Sequence, residues 1–292
     1  MPAPWVGVQE CLEHSIAGTS FAAFDKVNGG TIGPGGGAPQ YSVGAGGQAS
    51  KWRGGVQPTG SAKCELQTIG LLDCLIPAAL GDLPPIIQKV QGGPVAETLC
   101  ARLMEDCYLT RVKLSCAFEG LILVEYDWGA LSDVPATIAA AAAKQTPTVF
   151  AWHDTDVQFL DDPYKCQSWE VEFTTGVKFP SSLDLKAAGV QRLPEWAEPG
   201  NFQAKLSATV RVPVALTNDF YADYPDVLTF YVQGNNSDAV PKTFELDMTG
   251  GEGLDTTDGQ PVEIVRGEEQ VLFKIGGSST PNDLAIATFG MA

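Results

Sequence analysis

The stretch SWEVEF at residues 168–173 decides the fold, because apolar and polar residues alternate along its whole length. In an extended strand, Trp169, Val171 and Phe173 would share one face, and the polar residues between them would share the opposite face. This period of two is typical of a half-buried strand in an antiparallel sheet. The polar face must then meet water, a partner or a channel.

The same alternation recurs in QAKLSATVRV at residues 203–212 and in TFELDM at residues 243–248. Other predicted strands cover 61–69, 98–104, 108–118, 121–128, 149–159, 227–233, 262–266, 271–275 and 284–289, with turns at 105–106 and 119–120. The 32 glycines and 20 prolines suit many short strands joined by turns. The predicted fold class is mainly β, an antiparallel β-sandwich or barrel with one or two short helices.

Two segments predict short helices and two predict irregular structure. The helices are GLLDCLIPAAL at 70–80 and DVPATIAAAAAKQ at 133–145, where Asp133 would be the N-cap and Pro135 would lie in the first turn. NDFYADYPD at 218–226 predicts an acidic, aromatic loop. Residues 1–60 predict a glycine-rich arm, so the chain divides into this arm and a β domain at 61–292.

The formal net charge of −17 argues against a protein that holds nucleic acid by neutralising its phosphates. It is compatible with a surface along which DNA passes without sticking. The seven cysteines form no CxxC pair, and several lie in apolar segments, so we expect free, buried thiols. Neither a secretory signal nor an apolar stretch of membrane-spanning length is visible, which predicts a product made in the cytoplasm.

No catalytic, cofactor-binding or metal-binding residue is predicted, and the expected protein is not an enzyme. His14 reads as an exposed polar residue. His153 lies near Asp154 and Asp156, but neighbouring residues of a strand point to opposite faces, which disfavours a metal site. The glycine-rich segment 29–37 lacks the Lys-Ser or Lys-Thr ending of a phosphate-binding loop.

Two longer segments carry a resemblance to a known family. CYLTRVKLSCAFEGLILVEYDWGA at 107–130 resembles the segment of siphophage tail tube proteins in which one strand turns directly into the next. VQFLDDPYKCQSWEVEFTTGVKF at 157–179 and GVQRLPEWAEPGNFQAKLSATVRV at 189–212 resemble their second strand pair, with a loop at 189–200. The resemblance covers most of the chain in layout.

The resemblance implies a structural virion protein of a bacteriophage tail, without cofactors. Six copies would form a ring whose inner strands join into one barrel, and stacked rings would form the tube through which the genome is ejected. The tape-measure protein and then DNA would pass through the lumen without specific binding. The arm and long loops would contact adjacent rings, and no membrane would be involved.

Glu170, Glu172, Glu245 and Asp247 are the candidates for an acidic face lining the lumen, because they occupy the polar faces of predicted strands. Two other classes stay open. A distal-tail or capsid-decorating β-sandwich would form a single ring or bind a preformed lattice. A carbohydrate-binding β-sandwich or hydrolase would carry an aromatic platform, which the sequence pattern does not reveal.

Overall fold

A computed structural model of the chain describes residues 9–15, 22–23, 27–36, 40–43, 49–52, 56–66, 85–92, 98–136, 149–159, 164–180, 193–223, 230–235, 243–247 and 261–279. Their strands, in chain order, are β1 (Gln9–Ser15), β2 (Ala22–Ala23), β3 (Val27–Gly36), β4 (Gln40–Val43), β5 (Ala49–Trp52), β6 (Val56–Glu65), β7 (Ile86–Gly92), β8 (Thr98–Ala117), β9 (Leu123–Ala136), β10 (Thr155–Phe159), β11 (Lys165–Thr174), β12 (Gln203–Pro213), β13 (Phe230–Asn235), β14 (Thr243–Asp247), β15 (Val262–Arg266) and β16 (Gln270–Ser279). The helices are α1 (Thr217–Asp223) and two 3-10 segments, Trp152–Asp154 and Val214–Leu216.

The fold is mainly β with antiparallel pairing, which confirms the coarse prediction from the alternating stretches. Eleven strands form one sheet, β10, β13 and β14 form a second, and β4 pairs with β5. The prediction is closest for β12, predicted at 202–213, and for β15, predicted at 262–266. Strand β12 alternates clearly and β15 is rich in β-branched residues, so local sequence is sufficient to define them.

Strand β8 is the branch point of the large sheet. One side of β8 pairs with β9 along most of its length. The other side pairs with β7 in its N-terminal half and with β11 in its C-terminal half. From β11 the sheet continues through β12 and β16 to β15 at its edge, and from β9 it continues through β6 to β3.

The apolar face of this sheet forms the core. In β11, Trp169, Val171 and Phe173 are buried, as the alternation predicts. Strands β8, β9, β12 and β16 contribute their own buried alternate residues to the same cluster. Helix α1 closes one end, because the ring of Phe220 packs 4.9 Å from that of Phe273 on β16. Each such fully buried side chain stabilises the fold by about 1.5–3 kcal/mol.

A bulge in β8 keeps its apolar residues in the core. The pairing with β9 skips Thr110, so Leu109 and Val112 are both buried although they are an odd number of positions apart. Buried Thr175 binds the displaced backbone: its hydroxyl donates to the Leu109 carbonyl oxygen at 2.7 Å, and its amide donates to that of Thr110 at 3.1 Å. A bulge satisfied in this way reverses the strand's two faces without leaving buried polar groups unpaired.

The prediction of a helix beginning at Asp133 is wrong, because β9 continues to Ala136. Arg102 on β8 donates two hydrogen bonds to the carboxylate of Asp133, whose side chain is almost fully buried. This cross-strand pair outweighs the local preference of Asp and Pro for a helix start. The predicted turn at 105–106 is also wrong: Asp106 adopts a φ of 50°, but β8 passes through it. The predicted turn at 119–120 is confirmed.

Two segments predicted as irregular contain regular structure. Residues 217–223 form α1 rather than a loop, because Phe220 is drawn into the core. Strand β1 lies within the predicted arm, pairs with β7 in the large sheet and buries Leu12. Strand β6 crosses the predicted division at residue 60. The predicted helix at 70–80 and strand at 284–289 lie outside the described residues.

His14 is buried, so the prediction of an exposed residue is wrong. It lies on β1 opposite Ile87 of β7, which is itself fully buried. Desolvation lowers the pKa of His14 to about 4. An unfolded histidine has a pKa of about 6.5, so the unfolded chain takes up a proton at a higher pH than the folded chain.

Acidification should therefore destabilise the fold through His14. The unfolded state binds the proton below about pH 6.5 and the folded state only near pH 4, so the stabilising effect of neutral pH is lost progressively between these values. We expect His14→Gln to remove about 2 kcal/mol of the change in unfolding free energy between pH 7 and pH 4.5. Urea unfolding at pH 7 and at pH 4.5 measures this difference.

His153→Gln is the matched control, because His153 is exposed on the 3-10 segment and its removal also deletes an imidazole. If both variants show the same change in stability between the two pH values, His14 does not control the pH dependence.

Candidate functional site: a charge-paired sheet face

Five charged residues form a row across five adjacent strands of the large sheet. They are Lys63 on β6, Glu125 on β9, Lys113 on β8, Glu172 on β11 and Lys205 on β12. Each residue lies directly across from the next, and the sign of the charge alternates at every step. Opposite charges in directly facing positions stabilise a sheet by roughly 0.2–1 kcal/mol per pair.

Arg111 connects this row to the next one. Its guanidinium donates to Glu172 and Asp127, each at 3.0 Å, and lies 3.6 Å from Glu125. Two lysines complete the network, since Lys63 contacts Glu125 at 2.7 Å and Lys113 contacts Glu170 at 2.8 Å. We call this set the ionic face; its members are Lys63, Arg111, Lys113, Lys205, Glu125, Asp127, Glu170 and Glu172.

The network shifts the pKa values of two of its members, Glu125 and Arg111. The hydrogen bond from Lys63 lowers the pKa of Glu125 against the opposing effect of partial burial. Partial burial lowers the pKa of Arg111, but its carboxylate partners raise it by more, so the net shift is upward. Both shifts favour the charged forms of Glu125 and Arg111.

The period-two pattern of three strands places these charges on one face. After the bulge, Arg111 and Lys113 alternate with buried Val112 and Leu114 on β8. Strands β9 and β11 alternate in the same way, with their carboxylates on the polar side. The ionic face has four basic and four acidic residues and is therefore neutral, although the whole chain carries −17.

A shallow, hydroxyl-rich depression borders the ionic face. It has a volume of about 550 Å³, and Ser115, Ser207 and Thr209 contribute to its lining together with Glu170. Its residues continue the polar face of β8, β11 and β12 toward the end of the sheet, where the charged side chains give way to small ones. The polar side of the sheet thus presents paired charges beside hydroxyl groups.

The four predicted lumen residues fall into two sheets. Glu170 and Glu172 belong to the ionic face, where each is paired with a basic residue of β8. Glu245 and Asp247 lie on β14, across from Gln233 and Tyr231 of β13 in the three-stranded sheet. Whether any of the four lines a lumen stays a prediction, but the face around Glu170 and Glu172 is neutral rather than acidic.

Sequence reasoning missed the basic half of this face. The alternation in TRVKLSC at 110–116 contains the signal, since it places Arg111 and Lys113 on the polar side of a strand. The pairing that brings them beside Glu170 and Glu172 depends on strand register between segments about 60 residues apart, which no local pattern specifies.

The described ranges offer little reactive chemistry. They contain no group of three His, Cys, Asp or Glu side chains that could hold a metal ion. Four cysteines, Cys64, Cys107, Cys116 and Cys166, are free thiols, and the first three are buried as predicted. Burial raises the pKa of Cys116 to about 11 and that of Cys166 to about 12, so both thiols are protonated at neutral pH.

No family model matches the chain, and no curated protein sequence shows significant similarity to it. Among the helices within the described residues, none has the length and apolar character needed to cross a membrane.

Removing the arginine at the centre of the network should destabilise the fold. Arg111→Ala would leave Asp127 and Glu172 without their shared partner. We expect a loss of about 1–2 kcal/mol in unfolding free energy, because charged groups that are only partly exposed lose hydrogen bonds. Urea unfolding at neutral pH measures the loss.

Arg266→Ala provides the control, because Arg266 is 57% exposed and lies 4.0 Å from its one recorded ionic partner, Glu263. A change within about 0.5 kcal/mol is expected there. Equal losses in the two variants would show that the ionic face contributes no more than an ordinary surface pair.

Proposed function

We propose that this chain is a structural virion protein that assembles into stacked hexameric rings of a siphophage tail tube. The resemblance at 107–130 corresponds to the hairpin of β8 and β9, and that at 157–212 includes the paired strands β11 and β12. A mainly β, antiparallel fold is compatible with the sandwich or barrel that such rings require. The proposed location is the phage tail, after synthesis in the host cytoplasm.

The observation that carries the proposal is the exposed edge strand β15, in which Val262, Ile264 and Val265 are apolar and the other two residues are charged. All five of its residues are exposed, and Val262, Ile264 and Val265 are 61%, 51% and 55% exposed. Within the described residues, strand β15 pairs with β16 on one side and ends the large sheet on the other. An exposed edge that carries several apolar side chains is an aggregation hazard for a monomer, and pairing with another strand removes the hazard.

Self-association would cover the β15 edge with a defined surface of another copy of the chain. If β15 of one copy meets a different surface of the next copy, the contact is head-to-tail, and such contacts close into rings when the rotation permits. The added strand would extend the sheet from one subunit to the next, as a shared inner barrel requires. Stacking of rings would then build the tube.

The ionic face suits a conduit for DNA because most of its charges are paired, whereas the acidic lining that the sequence suggests would act by repulsion. Three of the four cations of the ionic face contact carboxylates, as with Arg111 between Asp127 and Glu172. DNA binds tightly where unpaired Lys and Arg neutralise its phosphates and release the counterions condensed on the DNA. Cations that are already paired within the protein provide little of this binding free energy. A neutral, charge-paired lining would let DNA and the tape-measure protein pass without adhesion.

A lysine on the edge strand should prevent assembly. Val265→Lys adds a third charge to β15, which already carries Glu263 and Arg266, and each further charge at a sheet edge opposes strand addition. We expect wild-type protein at high concentration to form hollow rings or tubes in negative-stain images, while Val265→Lys stays monomeric by light scattering.

Val134→Lys is the matched control, because Val134 is also a half-exposed valine that lies across from a leucine, Leu103, as Val265 lies across from Leu272. It should assemble like the wild type, and circular dichroism verifies that all variants fold. A wild type that stays monomeric, or a Val265→Lys variant that forms normal tubes, contradicts the proposal. Single rings that never stack would favour the distal-tail alternative.

A further inference from the structure

Two exposed aromatic side chains form a corner at one end of the large sheet. Phe118 lies in the turn between β8 and β9, and Trp152 begins the first 3-10 segment. Their ring centroids are 4.8 Å apart and their planes are inclined by 49°. Phe118 is 59% exposed and Trp152 is 38% exposed, so much of each ring is available to a ligand. We call this pair the aromatic corner.

Backbone hydrogen bonds hold both residues of the aromatic corner in place. The amide of Phe118 donates to the carbonyl oxygen of Gln167, and the amide of Trp152 donates to that of Gly120, each at 2.9 Å. The amide of Ala151 also donates to the Asp154 carboxylate at 2.8 Å, which fixes the start of the 3-10 segment. A platform held in this way loses little conformational freedom when a ligand binds.

A cleft of about 540 Å³ opens beside the aromatic corner. This volume is within the range of roughly 300–1,000 Å³ that is usual for small-molecule sites. His153, Thr155, Asp156 and Lys165 supply polar groups to its lining. Together they offer hydrogen-bond donors and acceptors around an apolar surface.

We propose that this cleft binds a saccharide. The C–H groups on one side of a pyranose ring are weakly positive and pack against the electron-rich faces of aromatic rings. The hydroxyl groups at the ring edge need both donors and acceptors, which the surrounding side chains provide. Lys165 and Asp156 give the cleft charges of both signs, which favours an uncharged, hydroxyl-rich ligand over an anion or a cation.

This site is independent of the proposed tube. It uses residues of one chain, in the β8–β9 turn and the segment that precedes β10, and it requires no neighbouring copy. Phe118 and Trp152 are 34 positions apart in the sequence, so the aromatic platform emerges only when Leu121 and Ala151 form their bridge. Binding to a glycan is therefore a property that the monomer itself should show.

Saturation-transfer NMR with the full chain tests the proposal, using glucose, galactose, mannose and N-acetylglucosamine and their disaccharides maltose, lactose and chitobiose as probes. We expect transfer to the ring C–H protons of at least one probe. Titration should show affinity weakened by about tenfold or more in Trp152→Ala and Phe118→Ala, since each removes half of the platform.

Trp196→Ala is the matched control, because Trp196 is also an exposed tryptophan, lies outside the cleft, and donates its indole N–H to Glu198 at 2.8 Å. It should bind the probe as the wild type does. Absence of transfer from every probe, or equal binding by the wild type and Trp152→Ala, overturns the proposal. Loss of tube assembly in Trp152→Ala without sugar binding by the wild type would assign the corner to contacts between copies instead.

Discussion

The register of β8 is the constraint on which both faces of the large sheet depend. Residues 101–104 of β8 lie between β9 and β7, and residues 111–115 lie between β9 and β11, so a shift by one residue would exchange buried and exposed side chains. The bulge at Thr110 exchanges the inward-facing and outward-facing positions of the strand between Leu109 and Val112. Thr175 donates hydrogen bonds to the carbonyl oxygens that the bulge displaces. Beyond the bulge, the core residues Val112 and Leu114 alternate with the charges of the ionic face.

The ionic face follows from this register and from the composition of the neighbouring strands. Arg111 is positioned between two strands that each carry carboxylates, so its charge is satisfied within the sheet. The excess negative charge of the chain therefore lies elsewhere. For a proposed conduit, the distinction matters: an acidic lining repels DNA over about a Debye length of 8–10 Å, while a paired lining is simply non-adhesive.

Local sequence predicts the elements that are defined by residues close to one another in the chain. Strands β11 and β12 alternate over most of their length, and the turn at 119–120 is marked by Gly120 and its polar neighbour. The pattern failed where a distant partner decides the outcome. Asp133 resembles a helix cap but pairs with Arg102 across the sheet, and Phe220 draws a predicted loop into a helix by packing against Phe273.

For the candidate sites too, local sequence identifies single residues but not the distant residues that they contact. Glu170 and Glu172 could be assigned to a polar face from alternation alone, but their basic partners required knowledge of strand register. The aromatic corner could not be predicted, because the turn at Phe118 and the 3-10 segment at Trp152 meet only in the folded chain. His14 was misjudged because its flanking Glu13 and Ser15 are polar, yet all three are buried between strands.

Amide hydrogen exchange along β15 tests the central claim of subunit-to-subunit sheet extension most directly. Mass spectrometry would follow the peptide covering residues 262–266 at low and at high protein concentration, with a peptide from β12, which lies between two strands, as the reference. The account predicts that exchange in β15 slows markedly in the assembled protein, while β12 is equally protected in both samples. Unchanged exchange in β15 within assembled rings or tubes would contradict it.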